Sequence, residues 1–239
     1  MPDTRSHRGA DPRDAAGFGP ASQPALRAAV LDLSWLLGRG YAPVSALKLV
    51  GDRGNLTERQ RRAVQRAACT DEARARREAT RVSARELAGR VLMIDGFNVL
   101  TTIEAALGGA VVLFCRDATY RDIAGVHGTY RKVEETLPAL EILASVLADL
   151  AVPRVGWLFD QPVSNSGRIR SVVLQIAAEH AFDWSVDLVN NPDRPLKESS
   201  EIIATADSAI LDAGPRWFNL ARHAIDTACL SAWIVDLGP

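Results

Sequence analysis

From Val91 to the C-terminus, short apolar runs alternate with longer stretches whose apolar residues recur at helical spacing. That alternation limits the fold more than any other feature. Short strands joined by crossover helices build a mostly parallel sheet covered by helices. The runs Val91–Ile94, Val111–Phe114, Val155–Phe159, Ser185–Val189, Ile202–Thr205 and Trp233–Val235 read as strands. The clearest helix is expected from Lys132 to Ala148, where Val133, Leu137, Leu140, Ala144 and Leu147 share one face. The expectation is therefore an α/β domain over residues 89–239, with a mostly parallel sheet and crossover helices.

Residues 24–88 follow a different pattern. Leu26, Val30, Leu33 and Leu37 lie at helical spacing before Gly38 and Gly40, and Pro43 opens a second helix. Thr57-Glu58-Arg59-Gln60 is a capping box that starts an arginine-rich third helix, and a fourth is expected from Asp71 to Arg81. A small all-helical module thus precedes the sheet. Residues 1–23, rich in Pro, Gly, Arg and Asp and without an apolar run, are expected to be a disordered tail, neither signal peptide nor membrane span.

The charge divides along nearly the same line. Arg53 to Arg90 holds eleven arginines, no lysine and five acids, a net +6, in a chain of net −1, so the remainder carries −7. A basic module suits phosphates, and an acidic one suits cations; the competing reading of the arginines is a solvated face of intrahelical salt bridges. Cys69, Cys115 and Cys229 are far apart and form no C-x-x-C pair, which argues against a disulfide framework or zinc site and favours a reducing cytoplasm. No membrane partner is expected, and a homo-oligomer is left open.

In an open parallel sheet, ligands bind beyond the carboxyl ends of the strands. Three expected strands end at or near acids: Asp95, Asp160 and Asp207. Carboxylates at close quarters raise one another's pKa values unless cations neutralise them, and Mg2+ or Mn2+ is the hard counter-ion that suits oxygen ligands. On the expected helix from Lys132, Glu134 falls at the edge of the buried face and Glu135 toward solvent, so Glu134 is the fourth candidate and Asp212 a weaker one. Each acid has a plainer reading as a helix N-cap or first-turn acid, with Asp207-Ser208 the best cap candidate. Arg59, Arg62 and Arg66 are the candidate phosphate contacts of the basic module. Ser164 to Gly167 could cradle a phosphate before a helix or simply start one. His127 and Tyr130 read as structural.

Asp95-Gly96-Phe97-Asn98-Val99 after a hydrophobic strand resembles the D-G-x-N opening of NYN-type nucleases, within the wider PIN-like group, and Thr205-Ala206-Asp207-Ser208 with Ile210-Leu211 resembles its later T/S-x-D segment. The resemblance implies an acidic cleft that binds one or two divalent ions and hydrolyses RNA phosphodiesters. Leu47 to Arg53, Leu56 to Arg61, Ile94 to Leu100, His127 to Thr136 and Pro162 to Gly167 are similar to the prokaryotic family catalogued as domain of unknown function 434, with Gly54 departing from a larger expected residue.

Together these readings predict a metal-dependent ribonuclease in which Asp95, Asp160 and Asp207 hold Mg2+ or Mn2+ and Glu134 assists. RNA would run along Arg59, Arg62, Arg66, Asn98, Arg131, Lys132, Ser164 and Ser166. The rivals are a nucleic-acid-binding or regulatory protein on the same scaffold without turnover, and a Mg2+-dependent phosphatase of a small substrate. No P-loop, dinucleotide fingerprint or G-x-S-x-G elbow occurs in the sequence.

Overall fold

The computed structural model describes residues 7–123, 130 and 132–238. In chain order the elements are α1 (Asp14–Phe18), α2 (Gln23–Gly38), α3 (Pro43–Arg53), α4 (Glu58–Ala67), α5 (Asp71–Thr80), β1 (Val91–Asp95), α6 (Gly96–Leu107), β2 (Val112–Phe114) and β3 (Tyr120–Asp122). They continue with α7 (Thr136–Asp149), β4 (Arg154–Asp160), α8 (Ser166–Glu179), β5 (Asp183–Val189), α9 (Asp193–Lys197), β6 (Ile202–Ala204), α10 (Ser208–Leu211), β7 (Trp217–Phe218), α11 (Leu220–Ala228) and β8 (Ile234–Asp236). No helix among the described residues is long and apolar enough to cross a membrane.

The main sheet is parallel, in the order β5-β4-β1-β6-β7. Side chains alternate across a strand, so Leu92 and Ile94 enter the large core with Trp157 and Phe159, while Met93 joins Leu158, Ile203 and Trp217 on the opposite face. From β1 the chain adds β4 and β5 on one side, then crosses back to add β6 and β7 on the other. The order reverses between β1 and β6, and such a switch point leaves a crevice beyond the strand ends.

Four expectations change. The strands near Val111 and Trp233 do not extend the main sheet. They pair in parallel as β2 and β8, and β3 adds antiparallel to β2 as a separate three-stranded sheet. The apolar face of that sheet, with Val111, Leu113, Val235 and Leu237, shares one core with Leu26, Val30, Leu33, Ala63 and Val64 of the N-terminal helices. The helical region therefore packs as part of the α/β body.

The expected disordered tail is also corrected over residues 7–23. Phe18 of α1 is buried in that shared core, and the buried Asp14 carboxylate accepts from Arg59 Nε at 2.5 Å and Nη2 at 2.8 Å. One phenyl ring, this ion pair and a second from Arg8 Nε to the buried Glu104 at 2.8 Å anchor a segment whose composition is otherwise that of a tail; residues 1–6 lie outside the described residues.

The third change is at α7, which begins at Thr136 rather than Lys132. Pro138 is the physical reason. In the first turn its missing N–H is harmless, but a helix starting at Lys132 would place its ring against the carbonyl of residue 134. The last is β3, a Tyr-Arg-Asp strand whose residues are buried. The capping box at Thr57 forms as expected: Gln60 N donates to Thr57 Oγ1, and Thr57 N donates to Gln60 Oε1 at 3.0 Å.

Candidate functional site

A cleft of about 730 Å³ opens at the switch point. Five acids line it, Asp95, Asp160, Asp193 and Asp207 as an acidic floor and Asp122 beside Arg66, together with an arginine wall of Arg62, Gln65 and Arg66 from α4 and with Arg121 of β3.

Asp95 ends β1 at the start of α6, yet makes no side-chain cap bond to that helix. Its Oδ2 instead accepts from the Thr205 hydroxyl at 2.7 Å, across the gap between β1 and β6. Burial pushes its pKa up to about 7; the Thr205 bond opposes this, the charges of Asp207 and Asp193 add to it, and the Asn98 amide, outside capping geometry, lowers it slightly. Gly96 is required next to it because a Cβ there would lie 2.4 Å from the Phe159 ring. The Asp-Gly pair is thus a place where a strand turns into a helix hard against the core.

Asp160 ends β4, and burial, with the Asp193 charge, raises its pKa. Its Oδ1 is buried without a hydrogen-bond partner among the described residues. Asp207 takes the plainer role as well: its Oδ1 accepts from Ala209 N at 2.8 Å and Ile210 N at 3.2 Å as the N-cap of α10, while the residue still lines the cleft. Asn98 binds the same turn, with its Oδ1 accepting from Ala206 N at 2.7 Å.

Other candidates lie elsewhere. Glu134 precedes α7 and is exposed, 3.3 Å from His7 Nε2, whereas Glu135 is the buried one. With α7 starting at Thr136 rather than Lys132, the two exchange faces. Arg59 is committed to Asp14, and Lys132 is exposed away from the cleft. Ser164 Oγ donates to the Tyr130 carbonyl at 3.2 Å and Ser166 Oγ to the Gln161 carbonyl at 3.2 Å, so both hydroxyls serve local structure. Tyr130 is itself buried, its hydroxyl donating to the Glu104 carboxylate. Arg131 and His127 lie outside the described residues.

Pairing also reduces the basic face. Arg53 meets Asp32, Arg61 meets Asp52, and Arg77 meets Asp117 and Asp212. Of the three candidate arginines, Arg62 and Arg66 reach the cleft; Arg62 keeps a 3.7 Å contact to exposed Glu58, and Arg66 donates to Asp122 at 3.1 Å.

Sequence reasoning missed Asp193, and it singled out Thr205 only within the T/S-x-D resemblance, without the bond to Asp95. Asp193 follows β5 by four residues, after Asn190-Asn191-Pro192, so inspecting only the residue next to each strand overlooks it. The turn signal of Asn-Asn-Pro-Asp marks the place.

Whether the residues fit a divalent ion turns on their oxygens. Among the described residues, no three His, Cys, Asp or Glu side chains gather into a ready-made metal cage. Mg2+ rarely needs one, since it is commonly held by one or two carboxylates with waters and substrate phosphate. The unpartnered Oδ1 of Asp160 and the Asp95 carboxyl, which burial and the Asp207 and Asp193 charges leave in need of a cation, suit that arrangement.

Comparison with known proteins places the two halves of the chain separately. Residues 25–79 match the family described as Protein of unknown function (DUF434), and residues 84–223 match Domain of unknown function (DUF5616). The resemblance to the first family thus holds within the helical region, and the later blocks, including Ile94 to Leu100, fall in the second. The chain is similar to Uncharacterized protein MJ0935 of Methanocaldococcus jannaschii, 30% identical over 180 residues that span 75% of this chain and 86% of that protein. No solved structure matches. With more than half its length inside the larger match, the chain belongs to the family of Domain of unknown function DUF5616, carried behind a DUF434 segment.

Proposed function

We propose that this protein is a PIN/NYN-like, metal-dependent ribonuclease that hydrolyses RNA phosphodiesters in the cleft between β1 and β6. One observation carries the reading: carboxylates and arginines line a single cleft together at the switch point of a parallel sheet. A phosphodiester needs both, cationic groups to hold its oxygens and hard ligands for an ion at the reacting phosphorus.

Asp95 and Asp160 are the ligands proposed for Mg2+ or Mn2+, with Asp193 and Asp207 adding negative charge around them. A bound ion supplies charge stabilisation on the phosphate oxygens and a more acidic water. Arg62 and Arg66 hold backbone phosphates, which positions a strand without reading its sequence. Thr205 fixes the rotamer of Asp95 through its hydroxyl, and Asn98 fixes the turn that presents Asp207.

Purified protein with mixed labelled RNAs should cut in Mn2+ and stop in chelator. Binding without turnover in Mn2+ replaces this reading with the binding-module one. The wall is tested separately, in chelator. RNA affinity should fall steeply with salt, and Arg62→Ala should flatten the log–log slope by about 0.7 for single strands; Arg66→Ala, which also opens its pair with Asp122, should flatten the slope and lower stability together. Arg59→Ala, which opens the Asp14 pair, should leave the slope unchanged and lower stability instead. Equal slopes for all three variants would remove RNA from the α4 wall.

A further inference from the structure

A buried ion network outside the acidic floor joins the two walls of the cleft. Asp117, in the turn between β2 and β3, is buried, and its Oδ2 accepts from Arg77 Nη1 at 2.5 Å and Arg121 Nη2 at 2.6 Å. Its Oδ1 accepts from Thr119 Oγ1 at 2.6 Å and Arg121 Nη1 at 3.1 Å. Both arginine side chains are nearly inaccessible, at 3% and 5% exposed, so water neither screens nor replaces these bonds.

Arg121 extends the network in two directions. Its Nε donates to the Ala206 carbonyl at 2.7 Å, immediately before Asp207. Its Nη1 donates to the Arg66 carbonyl at 3.0 Å, in the last turn of α4, where carbonyls lack partners within the helix. One planar group therefore touches the arginine wall and the acid-bearing turn at once. Arg77 grips the far end of the same turn, with Nε and Nη2 donating to the two oxygens of Asp212, each at 2.9 Å.

We infer that Arg121, locked by Asp117, is a positioning residue that sets the spacing between the α4 wall and the Asp207 turn. Its rigid fork reaches Asp117, Ala206 and Arg66 together; a lysine ammonium at the same charge is a single point and cannot span them. The spacing is a property of the fold, and only its catalytic consequence rests on the ribonuclease reading. In that reading a phosphate held by Arg62 and Arg66 must also meet Asp95 and Asp160, and a misplacement of about 1 Å lowers a rate by roughly 100-fold. Affinity depends on the arginines alone and should persist.

The test uses the full chain with spin labels at Gln65→Cys on α4 and Ala209→Cys on α10, both exposed positions; Cys69, Cys115 and Cys229 are buried and should stay unlabelled. The parent should give a narrow interspin distance distribution. Arg121→Lys should broaden or displace it and, measured in chains without labels because Gln65 lines the cleft, lower kcat by roughly 100-fold and hold RNA affinity within about twofold. Asp212→Asn, at a partly exposed carboxylate, weakens the Arg77 grip together with a 3.7 Å contact from Arg76 and should give the same change to a smaller degree. If Arg121→Lys does not fold, Asp212→Asn carries the test. An unchanged distribution in a folded variant overturns the inference, as does equal loss of affinity and kcat. If the parent cuts no RNA while the distribution still broadens, the ribonuclease reading fails and the spacing role of Arg121 stands.

Discussion

Asp95→Asn is expected to lower RNA cleavage in Mn2+ by on the order of 100-fold or more while RNA binding is kept, because it removes a charge aimed at the reacting centre and little shape. Stability should move the other way. The folded carboxyl has its pKa pushed up to about 7 by burial, with the Asp207 and Asp193 charges adding to it, against an unfolded value near 4. A group raised in the folded state favours the fold fully below the unfolded pKa, and that advantage is lost as pH rises through the folded pKa. The parent therefore loses stability between about pH 4 and 7, and asparagine does not. The shift sets a ceiling of roughly 4 kcal/mol; the cleft admits water, so a gain of about 2 kcal/mol at pH 8 is expected, vanishing at pH 4. Urea denaturation in chelator at the two pH values measures it. Equal stabilities at both, with cleavage at the parent rate, would make Asp95 a structural residue.

Asp117→Ala should have the largest effect on stability, a loss of about 3–5 kcal/mol, since it strands two buried arginines without their shared anion. Burial alone would raise the Asp117 pKa, but the Arg121 charge and bonds, aided by Arg77, overcome it and hold the carboxyl well below the usual range. A depressed pKa stabilises the fold above the unfolded value and loses that contribution as pH falls. The parent should therefore lose stability from about pH 5 downward more steeply than the variant does. A cost below about 1 kcal/mol, the size of a surface pair, would mean the network tolerates solvent.

Much of this arrangement could be read from the sequence, and the exceptions share a cause. Strands β1, β4 and β6 stand out as apolar runs because the inner strands of a parallel sheet covered on both faces leave little polar surface to interrupt them, and β5 at the edge shows instead the alternation of a half-buried strand. Asp95, Asp160 and Asp207 could be gathered into one cleft from sequence alone, since the strand-end rule depends on topology and not on side-chain detail. By contrast, β3 is invisible to hydropathy: Arg121 and Asp122 are buried through partners such as Asp117 and Arg66, and Arg66 lies more than fifty residues away. The start of α7 failed on one residue, Pro138, whose consequence is steric rather than periodic. The tail failed because one ring, Phe18, and two pairs to buried carboxylates, Arg59 with Asp14 and Arg8 with Glu104, outweigh the composition around them.

The core shared by the N-terminal helices and the three-stranded sheet bears on how the chain acquires its shape. Leu26, Val30 and Leu33 are completed by Val235 and Leu237, roughly two hundred residues downstream. Domains synthesised early usually fold early, but these helices lack part of their own interior until β8 has been made. Contacts so distant along the chain form late and slowly. During synthesis the inner faces of α2 and α4 must wait, uncovered, for the strand that closes them. Cutting the chain between its two family segments should therefore leave the helical segment with part of its interior, the part closed by Val235 and Leu237, open to water.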